Sequence, residues 1–143
     1  MPKYTGCFSR EEIESFKPPK DSVLICIRDP ETFYPKVDRI ERGYRFISHF
    51  DFWDLDKDID SYGIKRKAAL PEDVARIKET IDSFYDYHIF ASCEAGIFRS
   101  AAVREYLFRR GWTLHPDTNQ QHRGVHPNAY ILASLERLNV KFS

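Results

Sequence analysis

Cys93, Gly96, Arg99 and Ser100 are the residues whose types and spacing can do chemistry. They stand in the segment Cys93-Glu94-Ala95-Gly96-Ile97-Phe98-Arg99-Ser100, where five residues separate the cysteine from the arginine. A phosphate dianion needs several donors converging on it. Successive backbone N–H groups in a tight loop supply them, and the positive end of a following helix adds to the same field. Gly96 permits a backbone turn that a side chain resists. Arg99 presents a planar fork to two oxygens at once, which a lysine does not. The field that holds a phosphate also favours a thiolate over a thiol, so Cys93 is the expected nucleophile. Ser100 is placed to hydrogen-bond the sulfur and to help it leave a phosphocysteine intermediate. The expected phosphate cradle is Glu94, Ala95, Gly96, Ile97 and Phe98 together with Arg99. A lone cysteine is more often buried and inert. Here Gly, Arg and Ser fall in register behind it, between a strand pattern and a helix pattern, and that joint occurrence argues for chemistry.

Such a loop needs a strand to deliver the cysteine and a helix to receive the arginine. His88-Ile89-Phe90-Ala91 is a short apolar run leading to Cys93. From Ser100 to Arg110 the pattern is helical, with Ala102, Val103, Tyr106 and Leu107 on one side and Gly111 as a stop. Upstream, Pro71-Glu72-Asp73 opens a helix that runs to about Tyr87 and gathers Val74, Ile77, Ile81, Phe84 and Tyr85 on one face. Ser9-Arg10-Glu11-Glu12 has the form of a capping box and opens a short helix through about Phe16, closed by Pro18-Pro19. Ser22 to Arg28 is a nearly continuous apolar run, the mark of a buried strand, and a second strand spans about Tyr44 to Phe52. A last helix runs from Pro127-Asn128 through Leu138, carrying Ile131, Leu132, Leu135 and Leu138. Strands alternating with helices predict an α/β fold, a central and mostly parallel sheet flanked by helices, in a single domain over residues 1–143.

Composition narrows the partners. Lys and Arg number 22 and Asp and Glu 22, so the formal net charge is zero. That balance lacks the basic excess of a nucleic-acid or membrane-surface binder, and neither partner is expected. No apolar run reaches the length of a membrane span, and Met1-Pro2-Lys3-Tyr4 does not open a leader peptide, so a cytoplasmic monomer is the expectation. Cys7, Cys26 and Cys93 are too few and too widely spaced for a disulfide framework or a zinc set. His115, His122 and His126 match no ligand spacing either, and neither metal nor other cofactor is expected.

On these residues the chain resembles the protein tyrosine phosphatase superfamily, and within it the compact dual-specificity type. Ser92-Cys93-Glu94-Ala95-Gly96-Ile97-Phe98-Arg99-Ser100-Ala101-Ala102 is similar to that family's His-Cys-x-x-Gly-x-x-Arg-Ser signature. His126-Pro127-Asn128-Ala129-Tyr130-Ile131-Leu132-Ala133-Ser134-Leu135 is similar to the Pro-Asn-x-x-Phe-x-x-Gln-Leu stretch that opens a late helix. The likeness spans roughly residues 22–138 and implies a dual-specificity-phosphatase-like fold. It also implies metal-free hydrolysis of phosphate monoesters through phosphocysteine, first of all of protein phosphotyrosine and beyond it of phosphoserine or phosphothreonine. Enzymes acting on phosphoinositides or RNA 5′ ends share the scaffold, as do phosphate-binding modules with little catalysis. Those enzymes often carry basic residues inside the loop, so Glu94 with neutral companions leans toward protein substrates.

Two positions depart from the family pattern. Ser92 stands where the family has histidine, and its hydroxyl is expected to replace part of the hydrogen bonding to the thiolate. Phe98 stands where a small or polar residue is commoner, either narrowing the mouth or packing on the next helix.

The mechanism also needs a carboxylic acid to protonate the leaving oxygen. The resemblance places it in a loop after a strand, upstream of the cysteine, where this sequence has Asp51, Asp54, Asp56, Asp58 and Asp60. Trp53-Asp54-Leu55-Asp56 best fits the family's Phe-Asp-Asp-Ile-like segment, which ranks Asp54 first and Asp51 second and leaves Asp56, Asp58 and Asp60 as solvated charges. Cys26, on the strand expected beside that of Cys93, is either a core cysteine or a reversible disulfide partner for it. Arg109, Arg110 and Arg123 either face an anionic substrate or belong to solvated surface.

Overall fold

This computed structural model describes residues 2–30, 32–53, 59–61, 64–66, 71–117 and 126–141, with the backbone alone described for 59–61, 64–66 and 139–141. Strand β1 (Tyr4–Ser9) runs straight into helix α1 (Arg10–Ser15), because Ser9 both ends the strand and caps the helix. Its Oγ accepts the Glu12 N–H at 3.0 Å while Glu12 Oε1 accepts the Ser9 N–H at 2.9 Å, the reciprocal box expected from the sequence. Then come β2 (Ser22–Arg28), the short α2 (Arg39–Arg42), β3 (Tyr44–Asp51) and an antiparallel hairpin of β4 (Ile59–Ser61) and β5 (Ile64–Arg66). Helix α3 (Pro71–Ser83) leads to β6 (His88–Cys93) and α4 (Arg99–Arg109), and β7 (Thr113–Leu114) and α5 (Ala129–Lys141) close the chain.

Five strands form one all-parallel sheet in the order β3-β2-β6-β1-β7, as the α/β expectation requires. Its two faces divide the core by the alternation of a strand. Val23, Ile25 and Ile27 of β2 and Ile89, Ala91 and Cys93 of β6 join Val74, Ile77, Val103, Leu107, Ile131 and Leu135 under α3, α4 and α5. Leu24, Cys26, Phe90 and Phe8 lie on the opposite face with Ile13 and Phe16 of α1.

Two readings of the sequence change. The segment Tyr4-Thr5-Gly6-Cys7-Phe8-Ser9 was not expected as a strand, since it has no long apolar run and a glycine at its middle. It is a strand because β6 and β7 pair with it on both edges. Helix α3 ends at Ser83 instead of near Tyr87. Phe84 N–H still reaches Thr80 O at 3.1 Å, but a turn follows in which the Tyr87 carbonyl accepts the Trp112 indole N–H at 3.0 Å. Tyr85 is 56% exposed and not part of the buried face, its ring lying under the Lys3 ammonium.

Candidate active site

The C-terminal edge of the sheet carries Cys93, Gly96, Arg99 and Ser100. Cys93 is the last residue of β6, in register with Ser9 of β1, and the next five residues turn back to start α4 at Arg99. Gly96 is required twice over. Its φ is +70°, and a Cβ there would meet Ser9 N at 2.4 Å and the Phe8 carbonyl carbon at 2.6 Å. The loop therefore lies directly on the end of β1, tied further by the Arg10 N–H donating to Glu94 O at 3.2 Å.

Cys93 is 3% exposed and sits at the amino end of α4, which has no side-chain cap. The Ser100 N–H reaches its sulfur at 3.5 Å and the Ser100 hydroxyl lies 3.1 Å from it. Uncapped N–H groups of a helix start are the donors that an anion completes.

Arg99 is 4% exposed and anchored on one side only. Its Nη1 donates to Phe52 O at 2.7 Å and pairs with Asp29 Oδ1 at 2.7 Å, while its buried Nε has no partner. A buried guanidinium nitrogen without a partner is a donor that an oxyanion can satisfy. Asp29 and the Phe52 carbonyl come from just past the ends of β2 and β3, so three neighbouring parallel strands converge on this point.

A rim surrounds the loop. Glu94 accepts from the Thr32 hydroxyl at 2.9 Å and pairs with Arg10 at 3.5 Å, and Arg10 also donates to Phe33 O. Arg28 donates to Thr32 O at 2.9 Å and lies over the Tyr34 ring. Phe33, 81% exposed, is thus an apolar side chain on a backbone fixed by charged groups. Phe98 is 41% exposed and stacks on His126, whose backbone N–H donates to Ile97 O, so it neither packs into α4 nor is buried.

Several expectations are revised. Ser92 does not reach the thiolate: it points to the α1 side of the sheet, where its Oγ lies 3.3 Å from Cys26 Sγ. Cys26 and Cys93 therefore face opposite sides of adjacent strands, a poor arrangement for a disulfide even at neighbouring positions. Asp51 is half-exposed and paired with Arg28 at 3.3 Å instead of entering the site. Asp54, Asp56 and Asp58 lie outside the described residues, as does the side chain of Asp60, so the general-acid assignment stays an expectation. Arg109 pairs with Glu105 and Glu136, and Arg110 with Glu136, at the far end of α4 from the loop, while His122 and Arg123 lie outside the described residues. No cluster of metal-ligating side chains occurs among the described residues. None of the helices there is long and apolar enough to cross a membrane.

Asp29, Thr32 and Arg10 were missed by the sequence reading. Asp29 alone left a trace, as a carboxylate just past the end of the strand expected beside that of Cys93.

The parallel sheet and the loop between β6 and α4 give the chain a fold similar to that of solved tyrosine-phosphatase-like structures. Among solved structures, the chain is similar to Tk-PTP in its active form, with a TM-score of 0.57 and 16% identity over 99% of this chain and 94% of that one. It is also similar to the human tyrosine phosphatase-like serine/threonine/tyrosine-interacting protein, with a TM-score of 0.50 and 22% identity over 85% of this chain and 78% of that one. No protein-family model and no curated protein matches it. At such identities the likeness establishes the fold, and the chemistry has to be argued from the residues.

Proposed function

We propose that the chain is a cysteine-dependent phosphatase. Cys93 attacks phosphorus as the thiolate, and a P–S bond forms as the ester P–O bond breaks. Asp54 gives its proton to the leaving oxygen and then, as the carboxylate, takes a proton from the water that attacks the phosphocysteine. The P–S bond breaks, inorganic phosphate leaves, and the Ser100 hydroxyl hydrogen-bonds the departing sulfur. Arg99 and the loop amides hold the phosphoryl oxygens throughout. No step requires a metal. Protein phosphotyrosine is the first-choice substrate, with phosphoserine and phosphothreonine after it.

The observation that carries this reading is the state of Arg99, with Nη1 fixed by Asp29 and Phe52 and Nε buried without a partner. A purely structural arginine would spend all its donors on the protein. The test is hydrolysis of para-nitrophenyl phosphate in the presence of a chelator, by the wild type and by Cys93→Ser. Turnover that survives the chelator and vanishes in the variant is expected. Loss to the chelator overturns the mechanism.

One observation favours a second reading, a phosphate-binding module without turnover. Ser92 gives no hydrogen bond to the Cys93 sulfur, and one of the similar structures is named only phosphatase-like. An inert wild type that still binds phosphotyrosine would establish that reading.

A further inference from the structure

Four arginines belong to α4 and its C-cap, and they are not treated alike. Arg99 pairs with Asp29, Arg109 with Glu105 and Arg110 with Glu136. Arg104 is 8% exposed, its Nε and Nη1 are buried without a hydrogen-bond partner, and no carboxylate among the described residues pairs with it. Burying a guanidinium without a counter-ion is costly. The arrangement makes sense if the site itself supplies the anion.

We propose that Arg104 is a second cation of the active centre, a positioning residue whose charge acts through the protein interior to favour the thiolate of Cys93 and the phosphoryl group it takes up. The proposal rests on Cys93 being the nucleophile. Helix α4 packs on β1 and β6, Arg104 follows Arg99 by five residues, about 7.5 Å along the axis, and Cys93 ends β6 in register with Ser9, two residues from Cys7 on β1. From there its field crosses packed protein, where screening by water and salt is weakest.

Cys7 of β1 reports the placement. Burial pushes its thiol up to about 11, Arg104 pulls it the other way, and Cys93 is among the groups it senses. The Cys7 thiol is thus neutral at physiological pH and is not the missing counter-ion.

Among the described residues, the other charged or titratable groups near Cys93 have the following partners. Asp29 is taken by Arg99, and Glu94 by Arg10 and Thr32. Cys26, across the sheet, is held neutral by burial with its pKa at about 11. Glu12 of α1 acts on Cys7 in the opposite sense to Arg104 while engaged in the capping box. The anion that the site itself would offer Arg104 is the one formed at Cys93.

The experiment is alkylation of the full chain by iodoacetamide across pH, read at the Cys93 peptide by mass spectrometry, for the wild type, Arg104→Met, Arg104→Gln and Arg104→Lys. Removing the charge is expected to raise the pH midpoint by about 0.5 to 1 unit, slowing alkylation roughly 3- to 10-fold below the midpoint. Arg104→Lys restores the wild-type midpoint. Circular dichroism identifies the folded variants, and Gln serves if Met does not fold. A role confined to packing would lower the melting temperature and leave the midpoint in place. An unchanged midpoint in a folded Met or Gln variant overturns the proposal alone. A wild-type midpoint at the ordinary thiol value of about 8.5 to 9 overturns the nucleophile reading and the proposal with it.

Discussion

The chain holds two buried cysteine–serine pairs on adjacent strands. Cys93 and Ser100 lie 3.1 Å apart on the α4 side of the sheet, and Cys26 and Ser92 lie 3.3 Å apart on the α1 side. Exposure barely separates the two sulfurs, at 3% and 1%. What differs is the field around them. The first pair has an uncapped helix start and a half-anchored arginine. The second has Leu24, Phe90, Phe8 and Ile13, and burial pushes its thiol up to about 11. A hydroxyl beside a buried sulfur does not by itself make a nucleophile, and the proposed function turns on the helix start and the arginine that only the first pair has.

The largest effect expected from this contrast is a pair of conservative changes with opposite outcomes. Cys93→Ser should lower kcat on para-nitrophenyl phosphate by on the order of 10⁴ or more, while Cys26→Ser should leave it within about twofold. Comparable losses in both would break the contrast.

A middle-sized effect is expected at Asp29. Removing its charge in Asp29→Asn frees Arg99 to leave the productive orientation, and kcat/KM should fall roughly tenfold, with weaker inhibition by phosphate and an unchanged circular dichroism spectrum. Asp29→Glu should recover part of the loss. An Asn variant with wild-type kinetics would mean that the Phe52 carbonyl alone holds the arginine.

The smallest effect concerns stability at alkaline pH. The Cys26 thiol has a folded pKa of about 11 against an ordinary 9.0, so the folded chain keeps its proton longer than the unfolded one. Its contribution is full below about pH 9 and is lost as pH rises through about 11, and Cys7 behaves the same way. The melting temperature should fall over that window, by an amount corresponding to roughly 2 to 3 kcal/mol per thiol at most. The fall should be shallower in Cys26→Ala, and an equal slope would show that the second pair is better solvated than its surroundings indicate.

The loop was legible in the sequence because its requirements are local: Cys93, Gly96, Arg99 and Ser100 stand within one turn and the start of one helix. The apolar run of β2, the capping box of α1 and the cap of α4 at Gly111, whose φ is +102°, are local signals too. Strand β1 was not legible, because Gly6 and Ser9 become strand residues only through their pairing with β6. Asp29 was missed for a similar reason. Nothing near it in the sequence announces Arg99, which meets it only when β2 and β6 pair. The orientation of Ser92 depends on strand parity and on which face Cys26 occupies, so a family pattern with histidine at that position pointed to the wrong neighbour.

The seat of Gly96 on Ser9 and Phe8 also has a meaning in time. During synthesis β1 emerges first, yet the loop that leans on it is made much later, and parallel pairing between such distant segments is slow to form. If Cys93 is the nucleophile proposed above, its reaction with a thiol reagent at neutral pH should serve as a clock for docking of β1 beneath the loop.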